Sequence, residues 1–141
     1  MSENATAAEA MALPKHGELC WTEIATDNIE TCKSFYTNVF GWEIKKSENE
    51  NDGMEYLEFG IGAKEQGAMF QMNPEWYGGE TPPPHISIYV AVDDVDASAG
   101  KAFDLGATIV TPPFDVPNVG KMCVIKDPTG GKISLITLNQ Q

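Results

Sequence analysis

Histidine and cysteine are the residues of this 141-residue sequence that could bind a transition metal or act as a nucleophile, and they are few. His85 stands in the stretch TPPPHISIYVAVDDVDAS, where three prolines lead into an alternating strand pattern. An imidazole there could bind a metal or transfer a proton. His16 precedes the first predicted strand and is assigned to an N-terminal tail. The three cysteines lack CxxC spacing and are predicted to be small core residues in a reducing compartment: Cys20, Cys32 and Cys123.

The first half of the chain predicts a strand, a helix and three further strands. The stretch ELCWTEIA at residues 18–25 alternates, which places Trp21 and Glu23 on the same face of a strand. Asn28 closes a TDN triplet whose side-chain oxygens can cap a helix start, and Gly41 ends that helix. Strands are then predicted at residues 42–47, 54–61 and 67–72.

The same order of elements recurs in the second half. A strand from His85 is followed by a helix that Asp94 caps and Gly106 ends, and strands are predicted at residues 107–111, 122–126 and 133–138. The two capping residues lie 66 positions apart, and Gly41 and Gly106 lie 65 apart. A chance match of common α+β patterns is the alternative, but the matched offsets argue against it. The repeat predicts two βαβββ modules.

The length of the chain is that of one domain. Within it we expect a rigid linker between the modules, because PEWYGGETPPP is rich in turn residues and its prolines favour extended geometry. The predicted organisation is a flexible tail at 1–16, a first module at 17–73, the linker at 74–84 and a second module at 85–141, with 17–141 forming a single domain.

Charge and composition exclude several classes of partner. The net charge of −12 repels a phosphate backbone and an anionic membrane surface. No apolar run approaches the roughly 20 residues that cross a bilayer, and the N-terminal residues lack the basic and apolar regions of a signal peptide. We therefore expect a cytoplasmic protein that binds neither nucleic acid nor membrane.

Three stretches resemble the vicinal oxygen chelate superfamily, which includes glyoxalase I, extradiol dioxygenases and bleomycin-resistance proteins. They are DNIETCKSFYTNVFGWEI, VDDVDASAGKAFDLGATIV and IKDPTGGKISLI, and the resemblance covers about residues 17–139. The chain is most similar to a glyoxalase-like subgroup without assigned chemistry. The resemblance implies an α+β fold in which two βαβββ modules form a curved, mixed eight-stranded sheet around a cavity.

The resemblance also indicates where a metal would be bound. Members with a metal hold it through a His, Gln or Glu on the first strand of each module and a carboxylate in the last strand. The corresponding first-strand positions here are Trp21 and Ser87; Ser134 takes the last-strand position of the second module, and Ala68 or Met69 that of the first. These are poor ligands for a divalent ion. The resemblance therefore implies a protein without the family metal or another cofactor, although a displaced metal site stays open.

Glu23 and His85 form a second candidate constellation. Strand alternation places Glu23 on the face of Trp21, and His85 on the face of Ser87. If the first strands pair antiparallel about the family's pseudo-two-fold axis, Glu23 and His85 meet, within one chain or across a swapped dimer. Three interpretations stay open: His85 is a solvated residue at the sheet margin, it forms an acid/base or recognition pair with Glu23, or both belong to a displaced metal site.

We therefore expect a glyoxalase/bleomycin-resistance-like homodimer that binds a small, partly apolar organic ligand in a pocket of the sheet. The alternative is a metal-dependent lyase, isomerase or dioxygenase with a shifted site, or an enzyme that uses Glu23 and His85 as acid and base. A third alternative is a sheet that serves assembly alone. Catalytic residues stay unassigned, and the predicted ligand-binding residues are Trp21, Glu23, His85, Ser87 and Ser134.

Overall fold

The predicted order of one strand, one helix and three strands occurs twice in the computed structural model, which describes residues 13–47, 55–62 and 64–139. The α+β class and the two βαβββ modules are therefore confirmed. The first module comprises β1 (Leu19–Thr26), α1 (Ile29–Phe40), β2 (Glu43–Lys46), β3 (Tyr56–Ile61) and β4 (Lys64–Gln71). A 3₁₀ helix (Pro74–Tyr77) follows. The second module comprises β5 (His85–Ala91), α2 (Val95–Asp104), β6 (Thr108–Val116), β7 (Gly120–Lys126) and β8 (Lys132–Leu138).

The chain divides into two compact units. Of the described residues, those within 21–88 form one unit, and those within 13–20 and 89–139 form the other. Each unit contains most of one module. The predicted limits of the tail, the modules and the linker stay predictions.

The strands of the first module are ordered β2-β3-β4-β1. β1 runs parallel to β4, and the other neighbours are antiparallel. Helix α1 packs on one face of these strands, where Ile24 and Ile29 belong to one buried cluster that also contains Leu57, Phe59 and Met69. Because side chains alternate along a strand, the residues on either side of Ile24 point to the opposite face. That opposite face carries the candidate site.

Helix α1 begins and ends at the predicted residues. The side-chain oxygen of Asn28 accepts a hydrogen bond from the Thr31 backbone N–H at 3.1 Å, as a helix cap does. Gly41 has the left-handed φ of 73°, and its N–H donates to the Thr37 carbonyl at 2.9 Å. Both predictions of the helix ends are confirmed.

We expect Asn28→Ala to lower the free energy of unfolding by about 1 kcal/mol, because the first turn of α1 loses its cap. The matched control is Asn38→Ala, since Asn38 lies on the exposed surface within the same helix. Alanine is the better helix former there, so that change is expected to be neutral or stabilising. Urea unfolding followed by circular dichroism measures both. An equal loss in the two variants would contradict the capping role.

The strands of the second module are ordered β5-β8-β7-β6. β5 runs parallel to β8, and the remaining pairs are antiparallel. Helix α2 begins as predicted, with the Asp94 side chain accepting from the Ala97 N–H at 3.2 Å. The core under α2 includes Cys123, which is fully buried, as predicted for a core residue. Its other buried members are Val92, Val95, Ala99, Ala107, Ile125 and Leu135.

The prediction that the strand after α2 ends at Thr111 is wrong. β6 continues through Pro112 and Pro113 to Val116. It is the outer strand of its sheet, and its register to β7 shifts on both sides of Thr111. Proline is tolerated at such edges and bulges because no ladder hydrogen bond needs its missing N–H.

The residues just before β1 pack on the second module, in the unit that contains both. The backbone N–H of Gly17 donates to the Ala91 carbonyl at 2.7 Å, and His16 Nδ1 accepts from the Asp93 N–H at 2.9 Å. Leu13 contributes to a cavity of about 90 Å³ beside β8. His16 therefore has a structural contact, and the rest of the predicted tail, residues 1–12, lies outside the described residues. Among the helices described, none combines the length and the apolar character of a membrane span.

Candidate functional site

A row of polar side chains crosses the first module on the face opposite α1. Glu23 of β1 pairs in register with Ala68 of β4, Ala68 with Glu58 of β3, and Glu58 with Lys45 of β2. Residues paired across neighbouring strands point to the same face. The row therefore places two carboxylates on either side of the small, fully buried Ala68.

The hydroxyl of Tyr56 joins two side chains of β1. It donates a hydrogen bond to Glu23 Oε2 at 2.7 Å and accepts one from Trp21 Nε1–H at 3.0 Å. Tyr56 lies on β3, so its side chain extends across β4 to reach them. Ala68, the residue of β4 that pairs with Glu23, is small enough to allow this path. Trp21, Glu23 and Tyr56 are all half-buried, so their hydrogen bonds are partly shielded from competing water.

The electrostatics of this network keep the phenol protonated. Burial raises the pKa of Tyr56 far above its usual range, and the negative charge of Glu23 raises it further. The pKa of Tyr77 is raised for the same two reasons, burial first and Glu23 second. The field of Glu23 therefore reaches two tyrosines, both of which stay neutral hydrogen-bond donors at physiological pH.

Aromatic side chains adjoin the network. The 3₁₀ helix starts after Asn73, whose side chain accepts from the Glu75 N–H at 3.0 Å. This turn carries Trp76, whose ring lies 6.4 Å from that of Phe70 and 6.4 Å from that of Tyr77. Phe70 pairs in register with Tyr56 and so shares its face. Trp76 is 49% exposed and Tyr77 is 38% exposed, which leaves aromatic surface available for contact.

A cavity of about 220 Å³ lies further along the same strands. Glu58 lines it, which connects the cavity to the polar row. Across it, Lys45 Nζ and Glu65 Oε2 form an ion pair at 2.8 Å. The volume is below the 300–1,000 Å³ that is usual for drug-sized ligands. The other lining residues are Glu43, Ile44, Gly60, Gly62 and Lys64.

The sequence profile of the Glyoxalase/Bleomycin resistance protein/Dioxygenase superfamily matches residues 18–135, which is most of the chain. The chain belongs to this superfamily. The resemblance drawn from the helix and DPTGG motifs is therefore confirmed.

Two curated relatives are longer than this chain. CFP32 of Mycobacterium tuberculosis, provisionally named a glyoxylase, is 32% identical over 126 residues, which cover 89% of this chain and 48% of that protein. Anthracycline biosynthesis protein DnrV of Streptomyces peucetius is 25% identical over 146 residues, which cover 94% of this chain and 45% of that protein. The chain thus spans about half the length of these relatives.

Solved structures of the superfamily share the fold. A variant of Streptomyces coelicolor methylmalonyl-CoA epimerase in complex with 2-nitronate-propionyl-CoA superposes with a TM-score of 0.62 at 18% identity, covering 89% of this chain and 99% of that chain. The hypothetical protein BH1468 of Bacillus halodurans gives a TM-score of 0.65 at 12% identity, covering 89% and 96%. At these identities the likeness extends to the fold alone.

The side chains at the positions that the resemblance assigns to the metal are poor ligands for a divalent ion. Trp21 offers an indole N–H, which is a donor only, and it donates to Tyr56. Of the two first-module alternatives, Ala68 pairs with Glu23 on the site face and Met69 is fully buried in the core under α1. Ser87, on β5, offers only a neutral hydroxyl, which is a poor ligand for a divalent ion. Within residues 13–47, 55–62 and 64–139 no three His, Cys, Asp or Glu side chains come together as a metal site.

The structure brings together two of the five predicted ligand-binding residues, Trp21 and Glu23, through the Tyr56 hydroxyl. His85 is half-buried, and its Nδ1 lies 2.8 Å from the Pro83 carbonyl oxygen. Its pairing with Glu23 stays a prediction. Ser87 is half-buried on β5.

Ser134 belongs to the other compact unit. It is 3% exposed and pairs in register with Tyr89 of β5 and Val124 of β7. The roles of His85, Ser87 and Ser134 in ligand binding stay predictions.

Sequence reasoning missed Tyr56, Glu58 and Tyr77. The alternation in EYLEFG was a usable signal, because it places Tyr56 and Glu58 on one face of a strand whose other face carries the apolar Leu57 and Phe59. The register that brings Tyr56 to β1 was not readable from the sequence, since a shift between Phe59 and Gly60 interrupts the pairing of β3 with β4.

Proposed function

We propose that the first module binds a small, partly aromatic organic ligand on the face that carries Tyr56, without a metal at the superfamily positions. One observation carries this proposal: the hydrogen-bonded Trp21, Tyr56 and Glu23 side chains lie in a module that also presents exposed aromatic rings. The side chains in the network are oriented before any ligand arrives, which lowers the entropic cost of binding.

Aromatic contact would supply most of the affinity. Burying about 100 Å² of apolar surface against the rings is worth about 2.5 kcal/mol. Glu23 would orient a polar group of the ligand, and His85, Ser87 and Ser134 are the further polar groups predicted from the sequence. One relative is named for the biosynthesis of anthracyclines, which are aromatic compounds, and that name supports the proposal of an aromatic ligand. Sequestration of a toxic compound is one use that such a protein would have.

We expect Trp76→Ala to weaken the binding of an aromatic fragment such as indole about fivefold or more, because the ligand loses one face of its contact. Phe103→Ala is the matched control, since Phe103 is an aromatic side chain that is 65% exposed on α2 of the other module. Ligand-observed NMR titrations in the presence of a chelator measure both. Equal weakening in the two variants, or binding that the chelator abolishes, would contradict the proposal.

A metal-dependent lyase, isomerase or dioxygenase with a shifted site is the alternative from the sequence. Elemental analysis of protein purified without chelator separates the two. About one equivalent of Zn, Ni, Fe or Mn per chain or per dimer would favour the enzyme, and a content far below that supports binding through side chains. The predicted homodimer and the predicted cytoplasmic location stay predictions. Light scattering during gel filtration tests the first of these.

A further inference from the structure

The charges on the candidate face bear on the kind of ligand that it accepts. We infer that the ligand carries a positive charge: a protonated amine or a quaternary ammonium group on an aromatic or apolar body. This inference rests on the proposed function and adds a charge to the aromatic ligand proposed there. It follows from three features of the face.

The first feature is the arrangement of carboxylates. Glu23 and Glu58 lie in one register row, separated only by Ala68. Their backbones are therefore about 10 Å apart, two strand spacings, and both side chains are half-buried. Partial burial weakens screening by water, so an organic cation near the row gains more from these charges than it would at a fully exposed surface. The net charge of −12 adds a long-range attraction of the same sign.

The second feature is the type of apolar surface beside the carboxylates. Trp76 and Tyr77 present exposed aromatic rings, and Glu23 acts electrostatically on the Tyr77 phenol. Aromatic faces attract cations through the negative potential of the ring, and tryptophan does so most strongly. A carboxylate next to aromatic faces is the combination that distinguishes an ammonium group from a neutral isostere.

The third feature is the scarcity of groups that would bind an anion. The sequence contains no arginine, so all nine basic residues are lysines. Arginine is the side chain best suited to grip a carboxylate or phosphate through two hydrogen bonds. Lys45, the lysine in the polar row, forms an ion pair with Glu65. Lys64 lines the cavity beyond Glu58 and is exposed. The carboxylates of Glu23 and Glu58 would repel an anionic ligand on this face.

The test compares three ligands that share the indole ring and differ in the charge of the side chain: tryptamine, tryptophol and indole-3-propionate. We expect tryptamine to bind the full chain about fivefold more tightly than tryptophol at low salt, and indole-3-propionate to bind more weakly than tryptophol. Raising the salt concentration should weaken tryptamine binding and leave tryptophol binding nearly constant. Isothermal titration calorimetry gives all three affinities.

The variants Glu23→Gln and Glu58→Gln locate the charge effect. Each should bring the affinity for tryptamine towards that for tryptophol, because it removes one negative charge and keeps the size of the side chain. Glu30→Gln is the matched control: Glu30 is exposed on α1, the helix that packs on the opposite face, and its replacement changes the net charge by the same amount. It should leave the ratio of the two affinities unchanged.

The outcomes separate this inference from the proposed function. Equal binding of all three ligands would contradict the inference that the ligand is positively charged, and it would leave the proposal of aromatic binding intact. Tightest binding of indole-3-propionate would also overturn it. An equal loss of the tryptamine preference in Glu30→Gln would assign the preference to net charge and overturn the role of the row. Failure of all three ligands to bind at millimolar concentration would overturn both the inference and the proposed function.

Discussion

Gly67→Ala is expected to lower the free energy of unfolding by about 3 kcal/mol or more, which is a large share of the roughly 5–15 kcal/mol that stabilises a typical domain. Gly67 lies on β4 between Thr22 of β1 and Phe59 of β3, with which it pairs in register. A Cβ atom there would overlap the Thr22 carbonyl oxygen and lie 2.7 Å from the Phe59 ring. The backbone of Thr22 cannot move away without separating β1 from β4, so a local adjustment cannot relieve the overlap.

The control for this prediction is the same substitution elsewhere. Gly100 lies within α2, and a Cβ atom added there meets no other atom within 4 Å. Gly100→Ala should therefore stabilise the protein by about 0.5–1 kcal/mol, the usual gain of alanine over glycine in a helix. Urea unfolding of the two variants should give changes of opposite sign. A Gly67→Ala protein as stable as the unmodified chain would show that β1 and β4 are not as closely packed as described.

The consequence of close packing at Gly67 extends to the candidate site. Thr22 and Gly67 fix the register in which the next residues, Glu23 and Ala68, are paired. A shift of β1 by one residue would turn Glu23 and Trp21 towards α1 and bring Ile24 to the site face. The glycine is therefore as important for the position of Glu23 as for the core. Loss of ligand binding is expected to accompany the loss of stability in Gly67→Ala.

The parts of the fold that the sequence predicted depend on local signals. The cap at Asn28 and the stop at Gly41 act within one turn of α1, and their counterparts at Asp94 and Gly106 lie at matching offsets. Each signal involves residues within four positions of one another, so no knowledge of the tertiary structure is needed. The repeat then gives the two βαβββ modules without any information about strand order.

The parts that the sequence did not predict depend on distant contacts. Tyr56 meets Glu23 across 33 positions and across an intervening strand, and the pairing depends on a register shift next to Gly60. The continuation of β6 through Pro112 depends on its place at the edge of the sheet. The resemblance predicts Trp21 as a ligand-binding residue, but its hydrogen-bond partner Tyr56 lies 35 positions further along the chain.

The resemblance places Trp21 at a metal-ligand position of the superfamily, and we propose that the Tyr56 network orients the site in place of a metal. A metal holds its ligands in one arrangement through coordination bonds, and a site without those ligands needs another means of fixing its side chains. In this module the phenol of Tyr56 holds Glu23 and Trp21 together through two hydrogen bonds, one of them to a charged group. Removal of that hydroxyl should therefore affect stability and ligand binding together.

Tyr56→Phe is expected to lower the free energy of unfolding by about 1–3 kcal/mol at pH 7, because the Trp21 N–H and the Glu23 carboxylate each lose a partner while half-buried. Affinity for the proposed ligand should fall as well, since Glu23 loses the hydrogen bond from the Tyr56 hydroxyl. Tyr36→Phe is the control, because it removes a hydroxyl from α1 and keeps the ring that stacks on Trp42 at 5.1 Å. Its effect on stability should stay within about 0.5 kcal/mol.

The dependence of this difference on pH tests the physical cause. Burial and, secondarily, the Glu23 charge raise the pKa of Tyr56 in the folded protein above its value of about 10 in the unfolded chain, so the folded state holds the phenol proton more tightly. The stabilisation is therefore complete below about pH 10 and is lost as the pH rises above it. The gap in unfolding free energy between the unmodified protein and Tyr56→Phe should narrow by up to about 1.4 kcal/mol per pH unit between pH 10 and 11. A gap that stays constant over that range would mean that the phenol is not protonated more firmly in the folded state, and that the hydroxyl does not donate to Glu23.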